Sequence, residues 1–254
     1  MMYKILANTI FLGKDIHFLP ECHSTNDKAL ELVKNRQAHE GSIVITAHQT
    51  KGKGQRGNAW YSRKNENLTF SLILRPKFLD ISEQFFLNMM VSNSIRETLG
   101  EYLPDLKVKW PNDLLVTGVG KLCGILIENV VTNEGWDYAV VGIGVNVNQM
   151  EDLPDTATSI KACTGFHFDL EELFKLIVTQ IEQGYISLKK SGKEKILTNY
   201  LNHLYGYQEW KNFEREGRVF DGMITGVHLD GKLKVRLKGG EETLFDLKEL
   251  RFLL

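Results

Sequence analysis

The stretch from Lys107 to Asn148 constrains the fold more than any other part of the chain. Three apolar segments follow one another there, Val108–Trp110, Leu122–Glu128 and Tyr138–Val147. Only Pro111-Asn112-Asp113, Thr117-Gly118 and Asn133-Glu134-Gly135 turn signals separate them. Connections this short leave no room for a crossover helix, so the segments are expected to form an antiparallel meander. Strict βαβ alternation is excluded for this region.

Helical patterns lie on either side. Ala29, Leu30, Leu32 and Val33 recur at helical spacing behind the N-cap candidates His23-Ser24-Thr25-Asn26. Phe85, Phe86, Met89, Met90, Ile95 and Leu99 predict a helix within 82–102. Leu170, Leu173, Phe174, Ile177, Ile181 and Tyr185 predict another within 169–188, and a further helix is expected over 194–205. Ile43–Ala47 and Leu68–Leu74 read as strands joined by a long polar, glycine-containing loop. Beyond Trp210 the texture changes to short alternating segments punctuated by Gly217, Gly222, Gly226, Gly231 and Gly239-Gly240, a small all-β module. The expected fold class is therefore α+β, a mixed or antiparallel sheet with helices, divided into residues 1–210 and 211–254.

Composition removes several function classes. Thirty-one Lys plus Arg against 32 Asp plus Glu give a formal charge of -1, so no global field draws the chain to nucleic acid or to an anionic membrane. No apolar run approaches the roughly 20 residues of a membrane span, and residues 1–12 lack the pattern of a signal peptide. Cys22, Cys123 and Cys163 are odd in number and widely spaced, which suits a reducing compartment, and a cytoplasmic location is expected. Neither these cysteines nor the seven histidines show zinc-ligand spacing.

Four segments carry chemistry. Gly52-Lys53-Gly54-Gln55-Arg56-Gly57 matches G-x-G-x-x-G formally, but the residues after it lack helical periodicity, so it is not a dinucleotide fingerprint. Lys51, Lys53, Arg56, Arg63 and Lys64 crowd this loop, leaving two readings open: a solvated basic loop, or a cradle that wraps an anion with backbone N–H groups and cations. Lys109-Trp110-Pro111-Asn112-Asp113-Leu114 contains a turn, yet a turn does not call for the flanking Lys and Trp. Gly120-Lys121-Leu122-Cys123-Gly124-Ile125-Leu126-Ile127-Glu128 sets a lysine at the mouth of an apolar strand. Gly124 inside it marks a close approach to the backbone. Gly142 to Asn148 repeats that device, with asparagine amides able to donate and accept toward a heterocycle. Neither Walker A nor Gly-x-Ser-x-Gly occurs.

Taken in order and spacing, these blocks together with Ser24-Thr25-Asn26, Gln49 and Trp60 resemble biotin–protein ligase over essentially the whole chain. The resemblance implies a class II synthetase-like catalytic domain followed by a small C-terminal SH3-like domain. It also implies an ATP-dependent ligase that activates biotin to biotinyl-5′-AMP with Mg²⁺ and transfers it to a lysine of a biotin carboxyl carrier protein. Carried over residue by residue, it assigns Ser24, Thr25, Asn26, Gln49, Lys53, Gly54, Gln55, Lys121 and Gly124 to biotin. Lys53, Gln55, Arg56, Trp60, Asn112, Lys121 and Asn146 fall to the nucleotide. Catalysis falls to Lys121, Lys53, Arg56 and Asp113, with Asp113 also the candidate for Mg²⁺ or for orienting the acceptor amine.

Two departures stand out. Lys53, Gln55 and Asn58 occupy loop positions where relatives often have arginine, and Gln55 brings no charge, so looser retention of the adenylate is expected. Repressor-type relatives carry an N-terminal DNA-binding domain, and too few residues precede Ser24 for one, so neither operator binding nor any nucleic-acid or membrane partner is expected. A monomer or weak homodimer is expected. The rival functions are a lipoate–protein ligase and a non-catalytic biotin- or nucleotide-binding regulator.

Overall fold

A computed structural model describes residue 3 and residues 5–133, 135–190, 192–247 and 249–253, with residue 56 described by its backbone alone. Twelve residues into the described chain the first strand begins, and a seven-stranded sheet is assembled from β1 (Ile16–Leu19), β2 (Ile43–Thr46), β3 (Leu68–Leu74), β4 (Leu106–Lys109), β5 (Asp113–Val116), β6 (Gly120–Thr132) and β7 (Gly135–Val145). Their spatial order is β1-β2-β3-β7-β6-β5-β4. β1 and β2 run parallel, and the other neighbours run antiparallel.

The expected meander is present, with one strand more than expected. Asp113–Val116 forms β5, a strand that the sequence does not reveal because four residues are too few for an alternation to show. Trp110-Pro111-Asn112 is then the β4–β5 hairpin turn, with Lys109 opposite Asp113. β1 and a short helix α3 (Ile160–Thr164) were also not anticipated. Glu134, in the expected third turn, lies outside the described residues.

The four longer helices are α1 (Thr25–Lys34), α2 (Phe85–Gly100), α4 (Leu170–Lys189) and α5 (Lys193–Asn202). Ser24 caps α1, accepting from the Asp27 amide, and the Asp169 carboxylate caps α4, accepting from the Glu171 and Glu172 amides at 2.8 and 3.0 Å. Strand alternation sorts the sheet into two faces. Leu68, Phe70, Leu72 and Leu74 of β3, with Ile125, Val141, Ile143 and Val145, join the helical core that includes α2 and α4. On the other face Val44, Ile73 and Val140 pack against Ala29 and Leu32 of α1.

That second face is furrowed. Register puts Thr69 opposite Gly144, Gly144 opposite Gly124, and Gly124 opposite Asp113; the next row is Ser71, Gly142 and Leu126. Gly144, Gly124 and Gly142 in these rows leave a trough in the sheet surface beside α1.

The C-terminal β8 (Trp210–Arg215), β9 (Arg218–Val227), β10 (Leu233–Leu237), β11 (Glu242–Phe245) and β12 (Arg251–Phe252) form a separate antiparallel sheet in the order β11-β10-β9-β8-β12. Phe213, Ile224, Val235 and Phe245 are buried in it. Trp110, buried in the β4–β5 turn, ties the two parts together: its indole N–H donates to the Gly231 carbonyl at 2.8 Å. Among the described residues no helix is long and apolar enough to cross a membrane.

Candidate active site

The furrow is closed into a pocket from three sides. Ser24, Thr25 and Asn26 enter from the start of α1, Gln49 from the strand-to-loop junction, and Lys53, Gly54, Gln55 and Trp60 from the glycine-rich loop. Asn112, Lys121 and Gly124 complete it from the β4–β5–β6 side. Eleven of the residues expected from the sequence thus converge on one cavity, although they are spread from Ser24 to Gly124.

Backbone bonds zip the base of the loop to the segment that leads into α1. The Thr50 amide donates to the Cys22 carbonyl and the Lys51 amide to the His23 carbonyl, each at 2.9 Å. Within the loop the Gly54 amide donates to the Asn58 carbonyl at 2.7 Å and the Trp60 amide to the Gly52 carbonyl at 2.9 Å. A 3-10 turn, Gln55–Gly57, forms the tip, and no helix follows it where a dinucleotide fingerprint would need one. The loop returns Trp60 to the furrow, where a Cβ on Gly144 or Gly124 would meet its indole ring. Those glycines are therefore the seat of the tryptophan. With the ring there, the inner pocket keeps only about 40 Å³, too little for a heterocycle, so Trp60 and its loop must shift when a ligand enters. The buried Trp60 Nε1 has no hydrogen-bond partner among the described residues.

Lys121 stands at the boundary between this pocket and an outer cleft of about 730 Å³, which also touches Trp110, Asp113, Leu250, Arg251 and Phe252. Its ammonium lies 2.6 Å from the Asp113 carboxylate and 5.6 Å from the centre of the Trp60 ring. One segment fixes its backbone: the Lys121 amide donates to Thr156, and the Thr158 amide donates back to Lys121, both at 2.8 Å. Lys109, across the β4–β5 hairpin, is half-buried beside the Phe252 ring, and burial pushes its ammonium below the ordinary lysine value against the pull of Asp113.

Two expected site residues stand apart from the inner pocket. Asp113 lines the outer cleft instead, paired with Lys121. Asn146 is buried with its amide nitrogen donating to the Thr158 carbonyl at 3.0 Å, leaving Oδ1 without a partner among the described residues. The side chain of Arg56 lies outside the described residues. The anion-cradle reading also loses Arg63. That guanidinium is spent on Glu151 and Asp152 at 2.9 and 3.0 Å and lines neither the pocket nor the outer cleft. Lys53, by contrast, reaches across the mouth of the pocket to Asp27 of α1 at 2.5 Å, a bond that raises its pKa.

The structure adds residues that motif reading missed. Thr69 lines the pocket, and Ser71, fully buried behind it, bonds to Thr25 and Asn26. Their signal was present: two small hydroxyl residues alternate with Leu68, Phe70 and Leu72 in a strand buried along its whole length. A hydroxyl there needs a polar partner on the opposite face. A groove of similar size to the outer cleft, about 780 Å³, lies on the helical back of the molecule between residues 5–8, α2 and α4. None of the motif residues reaches it.

A mixed sheet backed by helices, a glycine furrow seating a loop-borne tryptophan, and a lysine–carboxylate pair at the pocket mouth set this site apart from Rossmann and P-loop nucleotide binders. The family model for the biotin/lipoate A/B protein ligase family matches residues 19–146, and the chain belongs to that family. Among curated relatives, the bifunctional ligase/repressor BirA of Bacillus subtilis is 28% identical, over 93% of this chain and 74% of its own length. The biotin–[acetyl-CoA-carboxylase] ligase of Paracoccus denitrificans is 29% identical over 89% of this chain and 96% of its own. Among solved structures, the Aquifex aeolicus biotin protein ligase in complex with biotin and ATP superimposes with a TM-score of 0.78 at 26% identity, covering 94% of this chain and 100% of that one.

Proposed function

We propose that this protein is a biotin–protein ligase, which activates biotin with ATP to biotinyl-5′-AMP, releasing pyrophosphate, and passes the acyl group to a lysine of a biotin carboxyl carrier domain of a carboxylase. The observation that carries the reading is the position of Lys121. A single ammonium lines both the inner pocket, whose other walls include small and polar side chains, and the outer cleft of about 730 Å³.

The chemistry follows from that placement. A carboxylate oxygen of biotin attacks the α-phosphorus of ATP, the new O–P bond forms, and the bond to the leaving pyrophosphate breaks. Both partners are anions, so a cation at their junction lowers the repulsion and meets the charge that develops on phosphorus. Lys121 is that cation, and Lys53 supplies a second from the loop when it leaves Asp27. Arg56 is assigned to the phosphates on sequence position. The indole of Trp60, the amide of Asn112 and the unpaired Oδ1 of Asn146 are assigned to the nucleotide. A buried acceptor without a partner is costly unless a ligand donor meets it. Ser24, Thr25, Asn26 and Gln49 frame the biotin ring, and residues 211–254 are assigned to a separate C-terminal unit bordering the cleft.

Magnesium is treated as part of the nucleotide substrate. Among the described residues no group of three or more His, Cys, Asp or Glu side chains could hold an ion, and Mg²⁺ is commonly held by substrate phosphates with one or two carboxylates. Asp113 is the carboxylate available, and its ion pair with Lys121 would be exchanged for that contact. In the second half-reaction the carrier amine attacks the acyl carbon, the bond to AMP breaks, and Asp113 is placed to receive the amine proton. Asp113→Asn is expected to slow transfer to the carrier more than tenfold. Normal transfer by that variant in single-turnover labelling with preformed adenylate would remove the role.

The deciding experiment is ATP-dependent pyrophosphate release with biotin and with lipoate in parallel, followed by label transfer to a carrier domain. Release with biotin and label on the carrier lysine are expected. Release with lipoate alone would move the chain to the other branch of its family, and silence with both would leave a binding protein on a ligase fold.

A further inference from the structure

We propose that Ser71, which cannot touch the ligand, fixes the direction of the Thr25 hydroxyl. The floor of the pocket is thereby a hydrogen-bond acceptor that selects a ring carrying an N–H donor. The inference rests on the biotin reading of this pocket and adds to it the residue that sets the polarity of one wall.

The chain of bonds begins at β6. The Asn26 amide nitrogen donates to the Leu126 carbonyl at 3.2 Å and to the Glu128 carboxylate at 2.7 Å. Both partners accept and neither donates, so a flipped amide would set oxygen against oxygen, and the orientation is fixed. Asn26 Oδ1 consequently faces Ser71 Oγ, 2.6 Å away, and it can only accept. Ser71 has one hydroxyl proton, and Asn26 takes it. Ser71 Oγ also lies 2.8 Å from Thr25 Oγ1; with its own proton spent, it accepts there, and Thr25 is the donor.

The other neighbour of the Thr25 hydroxyl is a weaker competitor for that proton. Gln49 Oε1 lies 3.2 Å away, accepts only, and already receives the Thr25 backbone N–H at 2.8 Å. The shorter contact to Ser71 therefore holds the Thr25 proton, which points into the protein wall. What remains for the pocket is a lone pair. A cyclic urea offers an N–H to such an acceptor, whereas a dithiolane ring has no donor at all, so the arrangement discriminates by chemistry rather than by size. Ser71 is fully buried beneath the furrow and acts through Thr25, which makes it a positioning residue.

The test compares biotin with its cyclic carbamate analogue, in which one ring N–H is replaced by oxygen, by ATP–pyrophosphate exchange. The native protein is expected to prefer biotin in kcat/KM by about tenfold or more, the scale of one buried hydrogen bond. In Ser71→Ala the Thr25 proton is held only by the long contact to Gln49 and can turn to meet the ring oxygen. The preference is then expected to fall to about threefold or less, with kcat at saturating biotin largely kept. An unchanged preference in a folded Ser71→Ala protein would overturn the proposal. Should that variant fail to melt cooperatively, Thr25→Val makes the same comparison: loss of the preference supports the assignment and its retention overturns it. Absence of exchange with biotin in the native protein would instead bring down the ligase reading, and this inference with it.

Discussion

Lys121 is half-exposed, paired with Asp113, and set where two cavities meet, so its charge is available to a substrate without the cost of full burial. Lys121→Ala is expected to lower biotin-dependent pyrophosphate release by at least about 100-fold, the usual scale for removing one transition-state contact. Unchanged release would shift the assignment to the loop cations. Gln55 makes the opposite kind of prediction. It lines both the pocket and the cleft but brings no charge, so Gln55→Arg is expected to slow escape of the adenylate several-fold, read as less free biotinyl-AMP at equal turnover. Equal escape would mean that other cations already retain it. These residues were legible in the sequence because charge and glycine are conspicuous. Ser71 was not, because a serine inside an apolar strand acquires meaning only from Thr25 and Asn26 folding against it.

At the scale of elements, the furrow depends on β6 and β7 presenting glycine on one face while Ile125, Ile143 and Val145 fill the core on the other. A Cβ on Gly144 would enter the Trp60 ring, which can shift only by lifting the loop off the sheet. Gly144→Ala is therefore expected to raise KM for both biotin and ATP, with kcat less affected. It should also speed proteolytic cleavage within residues 52–60. A variant with native loop protection would show that Trp60 has another seat. The sequence located β3, β7 and the long helices because each carries enough residues for a period to emerge. It left out β5, four residues long, and the strand pairing that lines up Thr69, Gly144 and Gly124 across the sheet, since register is a property of neighbours and not of any one strand.

For the whole molecule, the C-terminal sheet shares one apolar cluster with the catalytic part, and the buried indole of Trp110 adds a hydrogen bond across the junction. Trp110→Phe keeps most of the apolar burial and leaves the Gly231 carbonyl without that donor. The expected cost is about 1 kcal/mol, which for a chain of this size lowers the melting midpoint by roughly 2–4 °C. An unchanged midpoint, with unchanged proteolysis between α5 and β8, would mean that the anchor lies elsewhere. The Lys and Trp of the 109–114 hexapeptide exceeded the needs of a turn for this reason: the turn at Trp110 carries an attachment point for the second sheet, and Lys109 lies against Phe252 of that sheet.

By itself the sequence determined the α+β class, the meander, the all-β tail and eleven of the residues that converge on the pocket, because local periodicity, turn chemistry and the placement of glycine are written along the chain. The tertiary structure alone decided that Lys121 pairs with Asp113, that Arg63 is withdrawn to Glu151 and Asp152, and that the Thr25 proton is turned inward. Each of these depends on which distant side chain supplies the complementary charge or lone pair, and that is settled only when strands and loops far apart in sequence are brought within hydrogen-bond distance.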